Sequence, residues 1–336
     1  MAVQARVAVV GGGVAGLACA RGLVRAGAAP TVFDKGRGPG GRLATRRIDS
    51  PMGPLSFDHG AQFFTARGAR FAAEIARLTA TGAVQPWAGP VLRTRGRQAA
   101  TPARDDVVHV GAPGMNGLVK ALAAGLDVQF GVRVDALRRD AGRWLLAVEG
   151  GQAAGPFDAV VVAVPAEQAA PLLAPVSQGL AAEAARAVTG PCWAVMAAFD
   201  APVPTPFGGL QTEDPALGWI ALEATKPGRA PAPARLVLHA RLAWSRAHLE
   251  EPAEAVIAPL LVAARRFIPD LPEPVVAAAH RWRYAQVEKP AGSAYGWDAD
   301  LRLGACGDWR LGPRVELAWD SGDALASAMA GAVRPN

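Results

Sequence analysis

The segment from residue 6 to residue 42 constrains the fold most, because a glycine-rich turn lies there between two apolar runs. The turn, GGGVAG at 11–16, has the pattern G-x-G-x-x-G and directly follows the apolar run VAVV. In this pattern Gly11 permits a tight turn, Gly13 lets the backbone approach a pyrophosphate, and Gly16 lets the following helix pack on the strand. The pattern predicts a strand, a turn and a helix that extends to about residue 26.

The start of this helix is predicted to bind an anion, because the N–H groups at a helix N-terminus, here at Ala15, are free to face a ligand. A second strand, predicted over 30–33, ends in Asp34. This carboxylate follows the glycines by about 20 residues, the spacing at which an acidic residue binds a ribose diol. Strand, glycines, helix and acid together predict a dinucleotide site.

A second glycine-rich stretch, KGRGPGGR at 35–42, favours one dinucleotide over the others. In flavoproteins that resemble glutathione reductase, a Gly-Gly-Arg segment after the acidic residue wraps the pyrophosphate of FAD, and nicotinamide enzymes usually lack it. This resemblance implies that Lys35 and Arg42 bind the cofactor, with Arg42 neutralising phosphate charge through charge-assisted hydrogen bonds. The cofactor expected from the two stretches is therefore FAD.

Segments along nearly the whole chain resemble the bacterial branch of the renalase family, FAD-dependent oxidoreductases related to amine oxidases. The most specific are DKGRGPGGRLATRR at 34–47 and the GDW segment at 307–309. The resemblance also covers FDHGAQFFTAR (57–67), VVVAVPAEQAAPLL (160–173), GWIALEATKPGR (218–229), LHARLAWSRAHLE (238–250), HRWRYAQ (280–286) and ACGDWRLGPRVELAWDSGDALA (305–326).

The resemblance and the order of the elements predict an α/β fold with two domains. We expect a Rossmann-type FAD-binding domain with a parallel sheet, assembled from residues 1–67, 104–166 and 298–336. An inserted α+β substrate domain, residues 68–103 and 167–297, is expected to place an antiparallel sheet over the flavin. A strand over 128–134 is predicted to bring Val134 to the adenine, and a helix is predicted over 253–267.

The resemblance also implies which residues contact the flavin. Gln62 and Phe63 are expected beside the isoalloxazine ring, and Asp308 at ribityl or phosphate oxygens. Glu316 and Leu317 are expected in the first turn of a C-terminal helix that points its positive end at the flavin pyrimidine. Such a helix end would stabilise the anionic reduced flavin.

Trp219, His239 and Trp282 fall in family-like segments and are expected to roof the flavin as the catalytic residues. Together with Phe63 and Arg314 they form the expected substrate contacts, and the alternative for each aromatic residue is a core position. The remaining histidines, His59, His109, His248 and His280, are predicted to be structural or surface-facing. Solvated surface positions are predicted for Arg229, Arg281 and Arg283, with contact to a 2'-phosphate as the alternative.

The activity implied by the resemblance is hydride transfer to FAD from the 2- or 6-dihydro isomers of NAD(P), with dioxygen reoxidising the flavin to give hydrogen peroxide. One alternative is a flavin amine oxidase or desaturase, and another is a flavin-binding module without turnover. Arg314 stands where an amine oxidase would have a tyrosine, and the chain has only two tyrosines. Cys306 does not occupy the usual position of a flavin-linking cysteine, so FAD is expected to be noncovalent.

Composition narrows the class of partner. The chain of 336 residues is 51% hydrophobic and can bury a sizeable core. Its net charge of +6 is scattered, without the basic and aromatic pattern of a nucleic-acid motif. The partners that the resemblance implies are a small-molecule substrate and O2. No apolar run is long enough to suggest a membrane span, and no spacing suggests a metal site. Three cysteines, an odd number, suit reduced thiols in the cytoplasm.

Overall fold

A computed structural model of the chain describes residues 4–94, 100–103 and 106–333. The expected domain boundary at 103/104 and the two chain ends reach residues outside these ranges. Eight α-helices occur in the described part: α1 Val14–Arg25, α2 Ala69–Ala80, α3 Asn116–Ala123, α4 Ala166–Leu173, α5 Gln178–Ala185, α6 Leu242–Ala247, α7 Ile257–Ala264 and α8 Val315–Met329.

Twenty strands lie in the same described ranges: β1 Arg6–Val10, β2 Ala29–Asp34, β3 Thr45–Ile48, β4 Leu55–Asp58, β5 Val84–Pro86, β6 Val91–Arg93, β7 Thr101–Pro102, β8 His109–Gly111, β9 Asp127–Phe130, β10 Val134–Asp140, β11 Arg143–Val148, β12 Ala153–Phe157, β13 Ala159–Val162, β14 Val188–Phe199, β15 Gly209–Gln211, β16 Leu217–Leu222, β17 Ala234–Ala240, β18 Val276–Lys289, β19 Gly296–Asp298 and β20 Leu303–Ala305.

A six-stranded sheet in the order β19-β20-β13-β1-β2-β9 carries the glycine-rich turn, and all of its pairs are parallel except β19 with β20. Alternate residues of β1 pack into two different hydrophobic clusters, one on each face of the sheet. Val7 and Val9 pack with α1 and α8 on one face, whereas Ala8 and Val10 pack against the other face. Because both faces are buried, β1 and β13 are almost continuously apolar, as expected for parallel strands covered on both sides.

A seven-stranded sheet in the order β18-β14-β17-β16-β15-β6-β7 forms the other half of the protein. Its pairs are antiparallel except β15 with β6. One face packs on α7 through residues such as Leu238 and Ile220. The register places His280, Ala194, His239 and Trp219 side by side in one row on the opposite face. The side chains of this row therefore point away from α7.

The predicted fold class, a Rossmann-type parallel sheet together with a separate, mainly antiparallel sheet, is confirmed. The strands of the six-stranded sheet come from residues 6–34, 127–162 and 296–305, and those of the seven-stranded sheet from 91–102 and 188–289. The domain boundaries themselves stay a prediction.

Two predicted elements differ from the structure. The single strand expected over 128–134 is two strands, because Gly131 adopts φ +71° in a turn after β9, and Val134 begins β10 in a separate three-stranded sheet. The helix expected over 253–267 begins as a 3₁₀ turn at Ala253–Val256, and the α-helical part ends at Ala264. Pro259 lies in the first turn of α7, where a missing N–H costs little.

Candidate active site

A cleft of about 2220 Å³ is lined by both glycine-rich stretches, the β18 strand and the residues that lead into α8. Val134 also lines it, and its contact with the adenine stays a prediction. Pockets for a drug-sized ligand measure roughly 300–1,000 Å³. The cleft is therefore large enough for a dinucleotide and a second molecule.

The first glycine-rich turn has the geometry that its pattern predicts. Gly11 adopts φ +111°, and a Cβ there would lie 2.6 Å from the carbonyl oxygen of Ala163. A Cβ on Gly16 would lie 1.9 Å from the carbonyl oxygen of Gly11, so the helix can approach the turn only without a side chain. Gly13 has no atom within 4 Å of its Cβ position and lines the cleft together with Ala15. The start of α1 thus faces open space that a phosphate could fill.

Asp34 joins the two glycine-rich stretches. Its Oδ2 accepts a hydrogen bond from the Gly12 N–H at 2.6 Å, and its Oδ1 accepts one from the Gly36 N–H at 2.7 Å. Asp34 also lines the cleft, as does Lys35, whose Nζ donates to Gln168 Oε1 at 3.2 Å. The carboxylate predicted to bind a ribose therefore also fixes the relative position of the two loops.

Arg42 and Asp308 form a bidentate ion pair at the wall of the cleft. Both guanidinium–carboxylate distances are 2.6 Å, and the side chains are 30% and 9% exposed. Each of the two residues was predicted to bind cofactor oxygens separately, whereas in the structure they pair with each other. The pair ties the second glycine-rich stretch to the segment before α8, while the exposed part of Arg42 still faces the cleft.

The N-terminus of α8 opens on the cleft, which Arg314 and Val315 line. The next two residues, both predicted as cofactor contacts, do not line it. The buried Glu316 Oε1 accepts hydrogen bonds from the backbone N–H groups of Arg67 at 2.7 Å and Gly68 at 2.5 Å. Glu316 therefore anchors the chain ahead of α2.

The rings of His59, His280 and Trp282 form a cluster in the wall of the cleft. His59 lies 4.9 Å from Trp282 and 4.8 Å from His280 between ring centroids, and His280 lies 4.4 Å from Trp282. The carbonyl oxygen of His59 lies 3.0 Å from Trp282 Nε1, which donates to it, and 3.1 Å from His239 Nε2. Although His59 is buried and lines the cleft, its Nδ1 has no partner among the described residues. Its contacts therefore hold the ring in place at the cleft.

The histidines of this wall are neutral at physiological pH. Burial lowers the pKa of His59 to about 3, and the neighbouring His280 and Arg46 add to the effect. Burial also lowers the pKa of His280, with Arg46 contributing, and it lowers the pKa of His239 to about 4. The three rings are therefore aromatic and neutral, while Arg46, Arg281 and Arg283 line the cleft beside them.

Several residues expected at the flavin lie behind this wall. Gln62, Phe63, Trp219 and His239 do not line the cleft. Phe63 and Trp219 contact each other with ring centroids 5.4 Å apart. Gln62 is buried and donates to the backbone oxygen of Gly60 at 3.0 Å. These residues support the segment that carries His59 and Ala61, which do line the cleft.

The sequence interpretation missed His59 and His280, which were expected to be structural or surface residues. One signal could have found His280. It precedes Trp282 by two positions in the family-like segment HRWRYAQ, and residues two apart on a strand share a face. His59 lies in a loop after β4, where no periodicity predicts the direction of a side chain.

A buried ionic cluster lies beneath the segment that carries His59. Lys226 Nζ lies 2.6 Å from Glu223 Oε1, 3.1 Å from Gln62 Oε1 and 3.6 Å from Asp58 Oδ2. Arg229 binds the Asp58 carboxylate through Nε at 3.2 Å and through Nη2. Contrary to the prediction of a solvated side chain, that of Arg229 is only 3% exposed.

Arg281 and Arg283 do pair at the surface as expected, both with Glu250. The described residues contain no helix that could cross a membrane. They also hold no group of three or more potential metal ligands.

The family of the chain follows from a comparison with known proteins. Residues 91–334 match the family described as flavin containing amine oxidoreductase, and residues 9–76 match an NAD(P)-binding Rossmann-like domain. The chain belongs to the flavin-containing amine oxidoreductase family. It is therefore a flavin-dependent oxidoreductase.

Solved structures share the fold of this oxidoreductase. Cyclohexylamine oxidase from Brevibacterium oxydans IH-35A is 15% identical with a TM-score of 0.77, over 98% of this chain and 99% of that chain. A candidate protoporphyrinogen oxidase from Exiguobacterium sp. 255-15 is 14% identical with a TM-score of 0.75, over 99% and 100% of the two chains. Putrescine oxidase, bound to putrescine, is 15% identical with a TM-score of 0.69, over 98% and 99%.

The residues of this flavin oxidoreductase fit a flavin dinucleotide. The open space at Gly13, the free end of α1 and the exposed part of Arg42 suit a pyrophosphate, and Asp34 suits a ribose. The N-terminus of α8 faces the same cleft, where it favours negative charge. The cleft thus offers a continuous path from the glycine-rich turn to the cluster of His59, His280 and Trp282.

Proposed function

We propose that this oxidoreductase binds FAD noncovalently and oxidises the 2- or 6-dihydro isomers of NAD(P) to NAD(P)+, with dioxygen as the electron acceptor. One dihydro isomer, one O2 and one proton would give one NAD(P)+ and one H2O2. The bound FAD would supply the hydride acceptor and the site of reaction with oxygen. The product would be the usable cofactor, so the proposed role is metabolite repair.

The charge of the cleft carries this proposal. Of its described lining residues, twelve are lysine or arginine and four are acidic, namely Asp34, Asp135, Glu167 and Asp308. Such an excess of basic residues attracts anions and repels cations. A dinucleotide brings two or three phosphates, whereas an alkylamine is a cation at neutral pH. The lining therefore favours a phosphate-bearing substrate over an amine.

The neutral aromatic rings of the wall support the same substrate class. His59, His280 and Trp282 offer flat aromatic surface to a dihydropyridine ring and hold the region free of a protonated histidine. Binding the ring between this wall and the cofactor would bring donor and acceptor atoms together, which is the main requirement for hydride transfer. A hydride leaves without a separate proton, so no general base is needed.

Noncovalent binding is supported by the positions of the cysteines. No cysteine is among the cleft-lining residues in the described part of the chain. Cys19 and Cys306 are fully buried, and burial raises the pKa of Cys192 to about 12. Thiols of this kind react poorly. Denaturation should accordingly release FAD into the supernatant.

Amine oxidation is the second candidate, because the family description and two of the structural neighbours name amines. The basic lining and the presence of Arg314 at the start of α8 disfavour it. Desaturation and a non-catalytic flavin protein remain as further alternatives that the same experiment separates.

The test is rapid mixing of the purified yellow protein with 6-dihydro-NAD under anaerobic conditions. We expect flavin absorbance at about 450 nm to disappear within seconds, and added oxygen to restore it with one H2O2 per turnover. Reduction by cyclohexylamine or putrescine but not by the dihydro isomer would overturn the proposal in favour of amine oxidation. A flavin that no substrate reduces would identify a binding module.

A matched pair of variants connects the activity to the wall. Trp282→Leu removes a ring of the cleft, and Trp244→Leu removes a ring that stacks on His248 outside the cleft. We expect the first variant to slow reduction at least tenfold and the second to leave the rate within about twofold of wild type. Equal rates in the two variants would contradict the proposed substrate position.

A further inference from the structure

Arg235 is a buried cation that no described carboxylate contacts directly. The described residues contain three basic residues that are buried as a whole. Lys226 lies 2.6 Å from Glu223, and Arg310 lies 2.7 Å from Glu183. Arg235 is only 4% exposed, yet no described carboxylate lies within 4.0 Å of its guanidinium. A buried charge without a partner is costly, so this exception requires an explanation.

Burial lowers the pKa of Arg235, Glu223 and Asp58 attract its charge only from beyond contact distance, and Arg229 repels it. Nη1 donates to the backbone oxygen of Ser56 at 3.1 Å, Nη2 donates to that of Ala230 at 2.6 Å, and Nε has no partner. The adjacent cluster of Asp58, Glu223, Lys226 and Arg229 contains two charges of each sign. Arg235 adds one positive charge to a cluster that is otherwise neutral.

Arg235 lies at the cleft but away from its aromatic wall. It lines the cleft together with Ser56 and Ala230. On β17 it shares a face with His239, because residues at even separations on a strand point the same way. Four residues of strand span about 13 Å at roughly 3.3 Å per residue. An anion at Arg235 would therefore be remote from a ring at the wall of His59 and Trp282.

We infer that Arg235 is the anion-binding subsite of the cleft and that it takes a phosphate group of the substrate. The identity of the substrate rests on the proposed function, whereas the anion site rests on the burial and geometry of Arg235. A phosphate would supply the missing counter-charge and accept hydrogen bonds from the guanidinium fork. The subsite would select substrates that carry a phosphate remote from the oxidised ring.

The first experiment measures anion binding without catalysis. Inorganic pyrophosphate is titrated into the FAD-loaded protein by calorimetry, at constant ionic strength. We expect Arg235→Met to weaken binding at least tenfold and Arg235→Lys, which keeps the charge but not the fork, to weaken it less. Arg186→Met removes an exposed charge outside the cleft lining and should bind as wild type does.

Equal binding by wild type and Arg235→Met would overturn the subsite. If Arg235→Met does not fold, Arg235→Lys decides, because unchanged pyrophosphate affinity in that variant contradicts recognition by the guanidinium fork. Loss of FAD from either variant in dilute solution would also overturn it, since Arg235 would then bind the cofactor.

The second experiment tests whether the phosphate that Arg235 binds belongs to the substrate. Rates of flavin reduction are compared for the 6-dihydro forms of nicotinamide riboside, its mononucleotide and NAD. We expect Arg235→Met to lower kcat/KM at least tenfold for the two phosphate-bearing forms and to leave the riboside within twofold. A uniform loss with all three would contradict the subsite. If none of the three compounds reduces the flavin of the wild-type protein, the proposed function fails. The pyrophosphate titration then still decides whether Arg235 binds an anion.

Discussion

At the glycine-lined end of the cleft the backbone makes the binding surface, whereas at the histidine-lined end side chains from distant segments make it. The turn at Gly11–Gly16 offers N–H groups and open space, and its partner Asp34 lies only 22 positions after Gly12. The wall of His59 and Trp282 instead joins residues 223 positions apart in the sequence. The first surface is fixed by sterics, and the second depends on packing around buried charges.

This difference decides what each end tolerates. At the glycine-lined end a single methyl group can prevent the turn from forming, while the charge of Arg42 is partly exposed and screened. At the histidine-lined end the buried cluster of Asp58, Glu223, Lys226 and Arg229 supports the wall, so removal of one charge leaves others uncompensated. The predictions below test this contrast.

The largest effect is expected from Gly16→Ala, which should yield no yellow protein. The new Cβ would lie 1.9 Å from the Gly11 carbonyl oxygen, and backbone cannot move aside without opening the turn. Gly13→Ala should fold but lose flavin, since its Cβ meets only the open space of the cleft. Flavin content and circular dichroism measure both effects. As a control, Gly179→Ala has open space around its Cβ and should keep flavin. A yellow, folded Gly16→Ala protein would contradict the steric account.

At the other end, Lys226→Met should destabilise the protein by about 3–5 kcal/mol, because Glu223 and Asp58 would lose a buried counter-charge. Urea unfolding measures the free energy of unfolding. Lys120→Met, which alters an exposed lysine, should change it by less than about 0.5 kcal/mol. If the two variants have the same free energy of unfolding, the buried cluster does not support the wall.

The same contrast explains what the sequence could predict. The glycine-rich turn, its helix and Asp34 are close in sequence, and their spacing alone predicts their arrangement. The row of His280, His239 and Trp219 depends on the register of four strands, which local patterns do not determine. The pairing of Arg42 with Asp308 joins two segments that were each assigned a separate cofactor contact. The direction of His59 depends on contacts with His280 and Trp282.

Acid should weaken the histidine-lined end selectively. His239 has an unfolded pKa of about 6.5, and burial lowers its pKa to about 4 in the fold. Between these values the unfolded chain binds more protons, so the free energy of unfolding falls as pH falls. At pH 5 the loss from this residue is about 2 kcal/mol. The free energy of unfolding, measured with urea at pH 7.5 and pH 5, should therefore fall by about 2 kcal/mol less in His239→Gln than in wild type. An unchanged pH dependence in that variant would show that His239 is not buried as a neutral ring.

The smallest effect is expected from Arg42→Lys at the glycine-lined end. Arg42 holds Asp308 through two hydrogen bonds of 2.6 Å and keeps 30% of its side chain exposed at the cleft. Lysine keeps the charge but loses the planar fork, so FAD affinity should fall about tenfold, or about 1.4 kcal/mol. The exposed Arg37 of the same stretch provides the control, and Arg37→Lys should bind FAD as wild type does. Recovery of flavin fluorescence on dilution gives both dissociation constants. Because the fold at this end rests on backbone sterics, the free energy of unfolding of the apoprotein should change much less than in Lys226→Met. A large loss of stability in Arg42→Lys would mean that a charged pair, and not the glycine backbone, holds this end of the cleft together.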